Sequence, residues 1–327
     1  MSKPKLFSTH VLFDQPRRQL AEHFDVEYWT AKERPPRPEV LQRVAGKDAL
    51  ICLLTEKVDG ELLDAAGPSL RIVANVAVGF DNIDVPACTG RNVAVTNTPG
   101  VLDETTADFT WALMMAVARR VVEGDRLARS GAWRQWNLDQ LCGTDIWGKT
   151  LGIIGFGRIG RVVARRASGF RMRVTYNDAI RAPEEVEREL NAEFLPLDRV
   201  LATADFLSLH VALNEDTRGL IGPSELAQMK RTAFLINAAR GPVVQEAALV
   251  EALEKGVIAG AALDVYEREP LISDGLRRDN VVLAPHLASA SVETRTRMAM
   301  IAVENTIAFF EGKRPPTILN PEVLPRK

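Results

Sequence analysis

Three glycines spaced Gly155-x-Gly157-x-x-Gly160, with an acid, Asp178, past the next apolar run, are residue types that can hold a dinucleotide. Glycine at 155 permits a tight reversal of the chain, at 157 it lets backbone amides approach a pyrophosphate, and at 160 it lets a helix lie against its strand. The amides at the start of that helix are unpaired and carry a partial positive charge, which suits phosphate oxygens. Asp178 stands where an acceptor for the hydroxyls of an adenosine ribose is expected. A purely structural turn also uses glycine triplets, so the setting decides between the two readings. Leu151 to Ile154 reads as a short apolar strand, Arg161 to Ala167 as a helix, and Arg173-Val174-Thr175-Tyr176 as the strand that Asp178 ends. That is strand, turn, helix, strand, acid, the order a dinucleotide turn requires.

The elements around the turn predict its scaffold. Asp205 to Leu209, Ala233 to Asn237, Ala259 to Asp264 and Val281 to Leu283 are near-continuous apolar runs separated by helical stretches, as a doubly wound parallel sheet buried on both faces demands. Three more polar groups follow such runs: Arg240 in Asn237-Ala238-Ala239-Arg240-Gly241, Glu269 in Glu267-Arg268-Glu269-Pro270, and His286 in Ala284-Pro285-His286. In an open α/β sheet, that edge binds ligands. A second alternating series precedes the turn, with strands at Lys5-Leu6-Phe7, Val26-Glu27-Tyr28, Ala49 to Leu53, Ile72 to Asn75 and Val93-Ala94-Val95. Arg34-Pro35-Pro36-Arg37-Pro38 reads as a surface loop closed to helix, and Asp103-Glu104-Thr105-Thr106 opens one long amphipathic helix to about Arg129.

The chain has 327 residues, 46% hydrophobic and 26% charged, with a net charge of −2. This length predicts two domains, and the balance excludes an electrostatic attraction to nucleic acid or an anionic membrane. The expected division is 1–99 plus 287–327 for one domain, completed by the helix Val292 to Glu311, and 100–286 for the other. Cys52, Cys88 and Cys142 are expected to be reduced, buried thiols without a metal pattern. No metal, no membrane span and no signal peptide are expected, and a cytoplasmic location follows.

Several segments together resemble the D-2-hydroxyacid dehydrogenases: Val78-Gly79-Phe80-Asp81-Asn82-Ile83-Asp84, Gly148-Lys149-Thr150-Leu151-Gly152-Ile153-Ile154-Gly155, Asn237 to Gly241, Leu263-Asp264-Val265-Tyr266 with Glu269-Pro270, and Pro285-His286. Within that family the chain is most similar to glyoxylate/hydroxypyruvate reductases, including Trp136 and Leu141-Cys142-Gly143. The resemblance implies two Rossmann-like α/β domains, the substrate domain flavodoxin-like, with the active site in the cleft between them. It implies a catalytic triad of Arg240, Glu269 and His286. Arg240 clamps the 2-oxo acid, protonated His286 gives a proton to the carbonyl oxygen as hydride arrives, and Glu269 favours the charged imidazole. Backbone amides at Val78 and Gly79 are the second grip on the substrate carboxylate. Cofactor contacts extend from the glycine turn (Gly155, Phe156, Gly157, Arg158, Ile159, Gly160) and Asp178 to Thr106, His210, Val211, Thr217, Ala238, Arg240, Asp264 and His286.

The implied activity is NAD(P)H-dependent reduction of glyoxylate or hydroxypyruvate to the D-hydroxy acid. NAD is favoured because the charge of Asp178 opposes a 2′-phosphate. NADP is the alternative, since Arg181 follows in Asp178-Ala179-Ile180-Arg181. Gln140 stands where mammalian members carry a tryptophan, which leaves open another substrate such as 2-ketogluconate, a longer 2-oxo acid or phosphite. A non-enzymatic NAD-sensing corepressor is the rival of another class. A homodimer is implied, its interface supplied by the long helix with Trp111, Leu113, Met114 and Met115; core packing is the competing reading. Trp133 and Trp136 belong to an active-site cap, a subunit interface or the core, and Asp264 to the nicotinamide amide or a strand-end hydrogen bond. His10 and His23 read as ordinary.

Overall fold

The computed structural model describes residues 2–325. The chain divides into two compact units, one formed by the residues up to Leu102 together with those from Ser291 onward, the other by Asp103–Ala290. The first contains β1 (Lys5–Ser8), α1 (Asp14–His23), β2 (Asp25–Tyr28), α2 (Arg37–Val44), β3 (Ala49–Cys52), α3 (Gly60–Ala66), β4 (Ile72–Asn75), α4 (Val85–Gly90) and β5 (Ala94–Thr96). The second runs through α5 (Asp103–Ala118), α6 (Val121–Arg129), β6 (Thr150–Ile154), α7 (Arg158–Ala167), β7 (Arg173–Asn177), α8 (Glu184–Leu190), β8 (Ala192–Phe194), α9 (Leu197–Thr203), β9 (Phe206–Leu209), α10 (Pro223–Gln228), β10 (Phe234–Asn237), α11 (Glu246–Glu254), β11 (Gly260–Leu263) and β12 (Val281–Leu283). The chain then re-enters the first unit as α12 (Val292–Phe310).

Both sheets are parallel, as their sequences require. Every residue of β3, β4, β9, β10 and β11 is buried, so these strands are covered on both faces. The first sheet is ordered β2-β1-β3-β4-β5, the flavodoxin-like arrangement. The second is ordered β12-β11-β10-β9-β6-β7-β8, so chain order reverses between β6 and β9. Ligands of such sheets bind beyond the carboxyl ends of the strands at that switch point, and the glycine turn follows β6 there.

Three expectations need correction. The helix expected from Thr105 to Arg129 is two helices, with Arg120 between them in left-handed backbone at φ 52°. The break has a partner: the carbonyl of Ala118, which an unbroken helix would give to an amide one turn on, accepts from Thr144 N at 2.8 Å. Gly143 makes that approach possible, because a Cβ there would lie 2.3 Å from the Ala118 oxygen. Second, α2 begins at Arg37 and takes Pro38 into its first turn, where the missing N–H costs nothing. Third, Cys142 is exposed, its thiol against the Leu138 carbonyl, while Cys52 and Cys88 are buried. The three-residue edge strand β8 was not expected. Among the described residues, no helix is long and apolar enough to cross a membrane.

Candidate active site

In the second unit, the turn after β6 is shaped by what its glycines exclude. Gly155 has φ +92°, and a Cβ there would lie 2.6 Å from the His210 carbonyl carbon and the Val211 amide nitrogen, backbone atoms beyond β9. A Cβ on Gly160 would meet the Gly155 oxygen at 2.2 Å, so α7 can approach its strand only with glycine there. At Gly157 a Cβ would meet nothing within 4 Å. Open space therefore lies in front of the α7 N-terminus, whose first amides have no intrahelical acceptor. This cradle, with a carboxylate at the end of β7, fits a dinucleotide. Asp178 accepts from Phe156 N at 2.6 Å and Ile180 N at 3.2 Å, which still leaves lone pairs for ribose hydroxyls.

The neighbours expected around the turn are placed unevenly. Arg158 is exposed at the first position of α7. Phe156 is buried and stacked on Tyr176 at 3.9 Å, so only its backbone faces the turn, and Ile159 packs on the core. His210 Nε2 is 2.7 Å from Ser208 Oγ, and burial pushes its imidazole down to about 3, so it stays neutral. Thr217 spends its hydroxyl on Ala212 O at 2.6 Å, closing its own loop, and Thr106 is buried within α5. Ala238 lies buried just past β10.

The residues after β10, β11 and β12 come together. His286 Nδ1 lies 2.9 Å from Glu269 Oε2, and Glu269 Oε1 accepts from Tyr266 N at 3.1 Å. Burial works to raise the Glu269 carboxyl, but the His286 hydrogen bond and charge, the Tyr266 amide and the charge of Arg240 together hold it below its ordinary value. Arg240 hydrogen-bonds Ala239 O through Nη1, and its carbonyl accepts from Asn237 Nδ2. Gly241 lets these loops meet, since a Cβ there would lie 1.9 Å from the carbonyl carbon of Tyr266.

His286 is held in left-handed backbone at φ 55°, a conformation that costs a non-glycine residue free energy and persists only where its surroundings impose it. Asp264, fully buried, supplies that imposition. Its backbone oxygen accepts from His286 N at 2.9 Å, and its two carboxylate oxygens accept from Leu287 N at 2.6 Å and Ala288 N at 2.8 Å. Asp264 thus makes the strand-end hydrogen bonds that were one of its two expected roles. Tyr266 ties the same loops by donating its hydroxyl to Ala284 O at 2.9 Å.

In the first unit, the segment 77–79 turns its carbonyls inward: Ala77 O accepts from Thr98 N, Val78 O from Asn97 Nδ2 at 2.8 Å, and Gly79 O from Asn75 Nδ2 at 3.0 Å. The amides of Val78 and Gly79 have no acceptor among the described residues. The sequence reading missed Asn75 and Asn97, although an asparagine closing an apolar strand and one opening Asn97-Thr98-Pro99 were visible.

The apolar residues expected at a subunit interface divide. Trp111, Leu113 and Met114 are core residues of the second unit, Trp111 stacked on Phe170 at 4.6 Å, and Met115 faces outward. Trp133 and Trp136, 57% and 72% exposed, do not pack in the core.

A reversed-order parallel sheet with this cradle, and an imidazole–carboxylate pair with an arginine on the carboxyl edge of the same sheet, fit the class of nicotinamide-dependent oxidoreductases. Residues 111–288 match the family model of the D-isomer specific 2-hydroxyacid dehydrogenase NAD-binding domain. The chain is 52% identical to a glyoxylate reductase of Korarchaeum cryptofilum over 98% of its length and 97% of that protein's. A Thermus thermophilus protein of known structure superposes with a TM-score of 0.91 at 43% identity, covering 96% of this chain and 99% of that one. An NADPH-dependent glyoxylate/hydroxypyruvate reductase of Sinorhizobium meliloti, solved with NADP and malonate, gives 0.86 at 33% identity over 100% and 99%. The chain belongs to the D-isomer specific 2-hydroxyacid dehydrogenases.

Proposed function

We propose that the protein reduces glyoxylate or hydroxypyruvate to the corresponding D-2-hydroxy acid, with NADH as the preferred reductant. The observation that carries this reading is the 2.9 Å pairing of His286 with Glu269, beside the charge of Arg240, past the carboxyl ends of strands in the sheet that also holds the dinucleotide cradle. The names of the relatives support the substrate. A bound nicotinamide supplies the hydride for the carbonyl carbon. His286, protonated and turned by Glu269, gives its proton to the carbonyl oxygen, so the charge that would build there is neutralised as it forms. Arg240 holds the substrate carboxylate through its planar fork and polarises the carbonyl. In the first unit, the amides of Val78 and Gly79, which have no acceptor among the described residues, are a second group suited to a carboxylate, next to carbonyls held by Asn97 and Asn75. Asp178 and the first amides of α7 hold the adenosine ribose and the pyrophosphate, and the charge of Asp178 favours NADH. A cytoplasmic homodimer completes the proposal, its interface drawing on the exposed Trp133, Trp136 and Leu138.

Steady-state rates for a panel of small 2-oxo acids, each with NADH and with NADPH, test this directly. Glyoxylate or hydroxypyruvate with NADH is expected to give the highest kcat/KM, with a D product by chiral chromatography. NADH that binds but is oxidised no faster with any 2-oxo acid would overturn the enzymatic reading and leave a binding module.

A further inference from the structure

We infer that Glu187 is a second determinant of cofactor choice: it withdraws Arg181, the nearest cation in sequence to the ribose acid, from any 2′-phosphate. The inference rests on the dinucleotide reading of the β6–β7 turn and is independent of which 2-oxo acid is reduced.

Arg181 follows Asp178 on the loop leading to α8, where a guanidinium would suit NADP. Instead, its Nε donates to Glu187 Oε1 at 2.9 Å and its Nη2 to Glu187 Oε2 at 2.8 Å, so one whole edge of the fork is spent on a single carboxylate. That carboxylate is anchored. Its side chain is 11% exposed against 59% for Arg181, and Oε1 also accepts from the Tyr176 hydroxyl at 2.6 Å. Tyr176 is fixed in turn by Ala182 N at 2.9 Å and by the Phe156 ring of the glycine turn at 3.9 Å. The arginine therefore comes to the glutamate. Hydrogen bonds from Arg181 and Tyr176 hold the Glu187 carboxyl down to about 2, so it is a carboxylate at neutral pH. A 2′-phosphate would meet the repulsion of Asp178 and an arginine already committed elsewhere. Removing Asp178 alone lifts only the repulsion.

Calorimetric titration with adenosine 2′,5′-bisphosphate and with 5′-AMP separates these effects without turnover. The proteins needed are the wild type, Asp178→Ala, Asp178→Ala/Glu187→Gln, and the triple variant that adds Arg181→Ala. Glutamine at 187 keeps an acceptor for the Tyr176 hydroxyl, and melting curves verify folding. The bisphosphate-to-AMP affinity ratio is expected to rise about tenfold from the single to the double variant, the worth of one charge-assisted hydrogen bond, and to fall back in the triple. The NADPH-to-NADH ratio of kcat/KM should follow. Equal ratios in the single and double variants, with 5′-AMP binding intact, would overturn the role of Glu187 alone. A gain that survives Arg181→Ala would overturn it too. Binding of neither nucleotide by any of the proteins would remove the dinucleotide reading and this inference with it.

Discussion

On the proposed mechanism, His286 carries three separate demands: an acid at its ring, a carboxylate behind it and a backbone most residues avoid. Glu269 meets the second and Asp264 the third, so the imidazole is oriented before any substrate arrives. On the proposed mechanism, His286→Ala should cost about 10²- to 10⁴-fold in kcat, the usual worth of a general acid, with the Kd for NADH nearly unchanged. Near-normal turnover in single-turnover and steady-state assays would remove the histidine from the proton transfer. Arg240→Ala should instead lower kcat and raise KM for the 2-oxo acid together, for a loss of about 10²- to 10³-fold in kcat/KM. A normal KM would show that the carboxylate is held elsewhere. The residue types at 240, 269 and 286 were readable in the sequence because each follows an apolar strand. The contact between Glu269 and His286 came only with the resemblance to the family, because it joins two different loops and no local pattern marks it.

Among the elements, the loops after β10 and β11 depend on one hydrogen atom. Because a Cβ at 241 would lie 1.9 Å from the Tyr266 carbonyl carbon and oxygen, Gly241→Ala must push apart the segments that bear Arg240 and Glu269. Overpacking of this kind costs about 1–3 kcal/mol, so a lower melting temperature together with a large loss of turnover is expected by calorimetry and assay. An alanine variant with wild-type rate and stability would show that the two loops need not be so close. At this scale the sequence was legible where periodicity is local, as in the strands and α7. It misled where an element ends because of a distant partner: Thr144 takes the Ala118 carbonyl and divides the expected long helix. The short edge strand β8 carries too little pattern to be seen.

For the molecule as a whole, family membership spans nearly the full chain, and cofactor binding should be visible in global stability. At NADH about 100-fold above its Kd, mass action stabilises the binding unit by about 2.7 kcal/mol, which for a unit of this size is a rise of roughly 5–10 °C in its melting temperature. Scanning calorimetry that shows no shift with either NADH or NADPH would contradict an intact dinucleotide site. The amino-acid sequence by itself determined the parallel sheets, the glycine turn with its acid, and the family, because strand periodicity, turn chemistry and motif spacing are properties of neighbours along the chain. Tertiary structure alone decided that Trp111, Leu113 and Met114 are core, that Asp264 pins the histidine loop, and that Arg181 belongs to Glu187. Burial and hydrogen-bond partnership arise from groups brought together by packing, and no local pattern records which of several available partners a side chain will meet.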